Sequence, residues 1–158
     1  MSNAFPAAPR SLSSSDGRAY GVVASRFNQS FVQSLVDHTH AELAELEPGA
    51  PVSLVWTPGS FEIPLFVQEM ARLKRFQAII ALGVILEGET AHARLIADSV
   101  TRALLQISLE HRIPVVHEVL LVRDKIQAEE RCMHATNNRG TEAARAAVMA
   151  ARELAAIA

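Results

Sequence analysis

Apolar residues come along this chain in short solid runs that alternate with longer stretches of helical spacing. The runs Tyr20–Ser25 ("YGVVAS"), Val52–Thr57 ("VSLVWT") and Ala78–Ile85 ("AIIALGVI") each end at polar residues or a Pro-Gly pair, as strands buried on both faces do. A fourth, "PVVHEVL", covers Pro114–Leu120. Between them, Phe31, Leu35, Val36, Leu43 and Leu46 recur at helical spacing after Asn28, a natural N-cap, and before the stop "EPG". Ile63–Leu73 reads as a helix with Pro64 in its first turn, and Ala91–Arg112 as a long one carrying Leu95, Ile96, Val100, Leu104, Leu105 and Leu109. Two further helical segments follow, near Asp124–Met133 and over the alanine-rich Thr141–Ile157.

Strands separated by helices imply right-handed crossovers and a parallel sheet. The expected fold is α/β, a three-layer α/β/α sandwich with a four-stranded parallel sheet. In such sheets ligands gather beyond the carboxyl ends of the strands. That rule sets three polar turns on one rim: "SRFN", "TPGSFEIP" and "EGETAH".

Composition narrows the function without naming it. Of 158 residues, 49% are hydrophobic and 20% charged, with 15 basic against 17 acidic side chains and a net charge of -2. That is a globular chain with no electrostatic footprint for nucleic acid or an anionic membrane. One cysteine, Cys132, excludes a disulfide framework, and beside a methionine it reads as inert packing. No apolar run reaches the ~18 residues of a membrane span. The first residues, "MSNAFPAAPRSLSSSDG", lack the apolar segment of a secretory signal, so residues 1–17 are expected as a flexible arm, residues 18–158 as one domain, and the cytoplasm as the location. The sequon "NQS" at Asn28 carries no weight without a secretory route.

The rim residues suggest chemistry. Gly88 lets backbone approach a ligand, Glu89 and Thr90 can present amides at the start of a helix, and Thr90 suits an N-cap. His92 sits in that first turn, where the dipole favours the neutral ring and proton exchange. The same pattern also describes a capped helix with a solvated histidine, and Glu87 and Glu89 would repel phosphate unless they point away. Ser60, Phe61 and Glu62 read either as a cap, a core anchor and a first-turn acid, or as ligand contacts. Phe27 is either a lid on the core or a stacking platform. The two lysines, Lys74 and Lys125, lie off this rim, so no Schiff-base lysine is at hand, and acid–base and positional chemistry remains. No histidine pair has metal-ligand spacing with a carboxylate, and no nucleotide-binding glycine motif is present.

Taken together, "RFN", "PGSFEIP", "GVILEGETAH" and "NNRGTEAA" resemble, in order and spacing, the lumazine synthase family of riboflavin biosynthesis, from about Tyr20 to the C-terminus. The resemblance implies a flavodoxin-like sheet and condensation of 5-amino-6-(D-ribitylamino)uracil with 3,4-dihydroxy-2-butanone 4-phosphate to 6,7-dimethyl-8-ribityllumazine, phosphate and water, without a cofactor or metal. It implies His92 as the proton-transfer residue and Phe27 as the ring stacking on the pyrimidine. Ser60, Phe61 and Glu62 would bind the ribityl chain, Val84, Ile85 and Leu86 would lie beside the uracil, and Gly88, Glu89 and Thr90 would receive the phosphate. Arg131 matches the phosphate-binding arginine; Arg139 stands where a lysine is common, with Glu142 following. It further implies homopentamers, single, paired as decamers or closed into shells of sixty, with His117 and Arg131 reaching each site from the neighbouring subunit.

The sequence also departs from that family. His117, followed by Glu118, occupies the position beyond strand four where an apolar or aromatic residue covers the heterocycle. Glu87 stands where a basic residue is frequent, and Ala93, Arg94 and Leu95 replace a Phe, an acid and an aromatic. "MHATN" replaces a small-residue loop. These changes motivate an alternative, a low-turnover paralogue that binds riboflavin or a lumazine-like ligand, and a third reading as a mainly structural shell.

Overall fold

The computed structural model describes residues 17–158, so the arm expected over residues 1–17 lies, Gly17 apart, outside the described residues. Four strands, β1 (Tyr20–Ser25), β2 (Val52–Thr57), β3 (Ala78–Leu86) and β4 (Val115–Val122), form one parallel sheet in the order β2-β1-β3-β4. Five helices cover it: α1 (Gln29–Leu46), α2 (Ile63–Arg72), α3 (His92–His111), α4 (Lys125–Cys132) and α5 (Arg139–Ile157). A 3-10 turn over Ser60–Glu62 leads into α2. This is the expected three-layer flavodoxin-like sandwich.

The strands β1 and β2 coincide with their expected ranges and β3 runs one residue further. β4 extends to Val122, because pairing with β3 continues through Leu86 opposite Val122. His117 lies inside β4, opposite Ala81, within the range expected for the strand and not beyond it.

Each face of the sheet has its own core. Val22, Ala24, Ile80, Leu82 and Val84 face Val32, Leu35 and Val36 of α1 and Ala144 and Val148 of α5. Val23, Ile79, Ala81 and Val119 face Ile63 and Val67 of α2 and Val100 and Leu104 of α3. Full burial of such aliphatic side chains is worth roughly 1.5–3 kcal/mol each. Along α3 the helical pattern is only half inward: Leu95, Leu105 and Leu109 are exposed.

Helix α5 approaches α1 closely at Gly140, where an added Cβ would stand 2.4 Å from the Leu35 carbonyl oxygen. Thr39 of α1 closes that crossing by donating its hydroxyl to the Gly140 carbonyl at 3.0 Å. At the amino end of the sheet, Glu47 is buried between Arg18 at 3.6 Å and Arg152 at 2.9 Å. It thus ties the end of α1 to the chain entering β1 and to α5. Among the described residues no helix is long and apolar enough to cross a membrane.

Candidate active site

The three polar turns meet at the carboxyl rim of the sheet around a cavity of about 690 Å³. Its lining comprises Phe27 and Asn28 after β1, Gly59–Glu62 after β2, Val84–Leu86 at the end of β3, and His92, Ala93, Leu95, Ile96 and Ser99 on α3.

The first turn is set by backbone and side chain together. The Arg26 N–H donates to the Thr57 carbonyl at 2.9 Å, which prolongs the pairing of β1 with β2. Asn28 then takes left-handed dihedrals, φ 56°, which asparagine tolerates better than most residues. It occupies the N-cap of α1 without capping it; its Nδ2 instead donates to the Val84 carbonyl at 2.8 Å. Phe27, 70% exposed, is no lid on the core. Its ring is offered to the cavity.

The second turn is fixed by Thr57, whose hydroxyl donates to the Gly59 carbonyl at 2.8 Å. Ser60 is not a helix cap but is buried in the 3-10 turn, its Oγ 3.5 Å from Ser25 Oγ. It fits there because Gly83 of β3 has no side chain: a Cβ would come within 2.8 Å of Ser60 Oγ and 3.1 Å of Val119. Phe61 is 62% exposed, which overturns its reading as a core anchor. Two exposed phenyl rings on one cavity form a surface for a flat heterocycle.

The third turn brings His92 to the first position of α3. The N-cap is Ala91, not Thr90, and no side chain caps from it; the Thr90 hydroxyl lies 3.4 Å from the His92 N–H, long for a hydrogen bond. The helix therefore starts with amides weakly engaged by protein, the condition under which an anion is welcome. Gly88, Glu89 and Thr90 are exposed and join Leu86 to His92 without lining the cavity. Glu87 points into an ion pair with Arg94, 2.5 Å from Nη2.

The remaining expected residues do not reach this cavity. His117 faces α3, and its Nε2 lies 2.7 Å from Thr101 Oγ1. That hydroxyl spends its proton on the Ala97 carbonyl at 2.8 Å, so it accepts, and His117 Nε2 carries the hydrogen. Nδ1 accepts from the Val119 N–H at 3.1 Å, the complementary state. Burial holds the imidazole below its usual pKa, in keeping with a neutral ring.

Glu118 points to the other face, toward α4 and α5. Its carboxylate is 3.3 Å from Arg139 Nε, and Arg139 also pairs with Glu142. Burial pushes the Glu118 carboxyl up to about 7 against the opposing pull of Arg139, while Glu142 raises it further and the Arg131 charge lowers it. Arg131, half-buried on α4, thus shares this second cluster with Arg139 and Glu142. Cys132 beside it is buried, its thiol pushed up to about 12 chiefly by burial, and so inert as expected.

One chain consequently presents two separate surfaces: the cavity with its rings and His92, and the charged cluster near β4 with His117 on the opposite face of that strand. Sequence reasoning missed Asn28 as a loop tie, Gly83 as the seat of Ser60, and Ser99 as lining. The last carries a signal, since His92, Leu95, Ile96 and Ser99 follow helical spacing from the histidine.

Comparison with known proteins adds an independent finding. The family model described as 6,7-dimethyl-8-ribityllumazine synthase matches residues 17–155. A protein named 6,7-dimethyl-8-ribityllumazine synthase from Coxiella burnetii (strain Dugway 5J108-111) is 35% identical over 128 residues, 80% of this chain and 85% of the relative. Its counterpart from Coxiella burnetii (strain CbuG_Q212) is 34% identical over the same shares.

Proposed function

The chain belongs to the 6,7-dimethyl-8-ribityllumazine synthase family, and from that premise we propose that its rim cavity is where the reaction takes place. The enzyme is a transferase of riboflavin biosynthesis that condenses 5-amino-6-(D-ribitylamino)uracil with 3,4-dihydroxy-2-butanone 4-phosphate. The observation that carries the site assignment is the convergence of Phe27, Phe61 and His92 on one cavity.

In this reading Phe27 stacks on the pyrimidine, with Val84, Ile85 and Leu86 beside it. Ser60, Phe61 and Glu62 hold the ribityl chain, and the Glu62 carboxylate is a natural acceptor for its hydroxyls. The phosphate lies against Gly88, Glu89 and Thr90 at the start of α3, where the amides and the dipole favour an anion. The amine of the uracil attacks the ketone, water is lost as the imine forms, phosphate departs, and ring closure releases further water. No lysine lines the cavity, so the substrate supplies the nitrogen. His92, at the cavity wall, moves protons between the amine and the leaving oxygens. Orientation of two reactants carries the larger share of the rate.

The site is completed by a second copy. His117 and Arg131 of a neighbouring subunit would supply the covering ring and a cation that one chain's cavity lacks, with Arg139 and Glu142 beside Arg131 in the same cluster. Support comes from the position of β4 at the sheet edge and from the exposed Leu95, Leu105 and Leu109 on α3, which need a partner surface. The assembly is a homopentamer working in the cytoplasm. Incubating purified protein with both substrates and following lumazine absorbance tests the reading; failure to form lumazine overturns it.

A further inference from the structure

We propose that Arg94 is a positioning residue for the phosphate end of the substrate, acting by cancelling the charge of Glu87 at the root of the loop 87–91. This deepens the function proposed above and rests on it. Glu87 is fixed by its backbone: its N–H donates to the Val122 carbonyl at 2.8 Å and prolongs the ladder of β3 with β4. Its carboxylate therefore cannot move far from the loop that follows. Left alone, it would set a negative charge beside the weakly engaged amides of α3, where it would repel an incoming phosphate and compete for the same helix end.

Arg94 reaches back from the first turn of α3 and meets that carboxylate with two nitrogens. Nε and Nη2 both stand 2.5 Å from Glu87 Oε1. Two facts argue that the pair is there for the loop and not for stability. The Arg94 side chain is 72% exposed, and ion pairs so open to water contribute little to folding. A cation in the first turn also opposes the helix dipole, so the position breaks a local rule. What the arrangement achieves is a loop of Gly88, Glu89, Thr90 and Ala91 clamped at both ends by one pair. At its root, the charge of the carboxylate is met by the guanidinium.

The test uses Arg94→Ala, Glu87→Gln and the double variant, with steady-state constants for each substrate and the affinity for inorganic phosphate by calorimetry. Arg94→Ala is expected to raise KM for the phosphate-bearing substrate, and the Kd of inorganic phosphate, by roughly three- to tenfold. KM for the uracil and kcat stay at the wild-type level. Adding Glu87→Gln removes the charge that needed cancelling, so the double variant returns to within about twofold of wild type, while Glu87→Gln alone leaves the Arg94 charge uncompensated and lowers both the KM and the Kd. Raising salt from ~0.05 to ~0.5 M shrinks the Arg94→Ala defect, which a loop merely misshapen would not show. An unchanged KM and Kd in Arg94→Ala overturns the proposal. So does a defect that persists in the double variant, which would make Arg94 itself the phosphate ligand or a structural strut. Absence of lumazine formation by the wild type would instead sink the parent reading, while the phosphate affinities would still decide this one.

Discussion

The Asn28 carboxamide donates to the Val84 carbonyl at 2.8 Å and so ties the turn after β1 to the end of β3. The contact spans 56 residues of sequence and holds the residue that follows Phe27 in the chain. Asn28→Ala loses both the hydrogen bond and a residue that tolerates φ 56°. About 1–3 kcal/mol of stability should go with them. Asn28→Gly relieves the backbone but not the bond, so it should cost less in denaturant unfolding. With Phe27 as the stacking ring proposed above, both variants should also raise KM for the uracil substrate, because the turn that carries Phe27 loses its tie to β3.

Gly140→Ala is expected to destabilise the chain by about 2–3 kcal/mol. Its new methyl would stand 2.4 Å from the Leu35 carbonyl and 3.0 Å from His38 Cβ, so α1 and α5 must separate. The Leu35 oxygen is helix backbone and cannot yield as a flexible side chain would. Urea denaturation of the two proteins measures the difference.

The strands and the rim were legible because solid apolar runs bounded by polar turns admit few other readings, and the sheet rule then places the turns. β4 was read through His117 and Glu118 but ended two residues early, at Leu120, and only pairing with β3 carries the strand on through Leu121 to Val122. Phe61 shows the limit for single residues: an aromatic after a turn is as good a core anchor as a ligand wall until its exposure is seen. The Asn28 tie and the Ser60 seat on Gly83 depend on contacts between distant segments, which no local pattern reports. Arg94 was legible as a departure, yet its partnership with Glu87 needed the geometry.

Glu118→Gln should make the protein more stable at pH 8. The carboxyl is raised from 4.5 to about 7 by burial, so the folded state prefers the proton and the unfolded state releases it more readily. Stability of the wild type therefore falls as pH rises from about 4.5 to 7, and the loss is complete above that. Glutamine lacks the ionisation, while Arg139 keeps Glu142. Thermal unfolding at pH 5 and pH 8 should show the variant's advantage at the higher pH, shrinking toward the lower one. A constant offset would mean that Glu118 does not titrate in this window.

His92→Ala should slow single-turnover formation of lumazine by ~10²-fold or less, because a positioned proton carrier contributes a limited factor and orientation remains. Arg131→Ala should raise KM for the phosphate-bearing substrate far more than for the uracil. Equal effects on both would remove Arg131 from the phosphate role proposed for it.

His117 is proposed above as the ring that covers the heterocycle from a neighbouring subunit, and its surroundings leave it a flat, neutral face for that role. Both ring nitrogens are used within the chain: Nε2–H on Thr101 at 2.7 Å and Nδ1 under the Val119 N–H at 3.1 Å. Nothing remains to hydrogen-bond a substrate, so only the flat face can act. Nitrogen NMR of the labelled histidine should show the Nε2–H tautomer, with Nδ1 unprotonated, at neutral pH. Burial holds its pKa below 6.5, so acidification protonates the unfolded chain first and stability should fall as pH drops through that value. His117→Phe keeps a flat ring and should leave kcat and both KM values within about threefold, at a stability cost of about 1 kcal/mol for the orphaned Val119 N–H. His117→Ala removes the face and should raise KM for the uracil substrate well above that of His117→Phe. If phenylalanine is as damaging as alanine, the nitrogens matter after all, and the ring is a hydrogen-bonding group of the site.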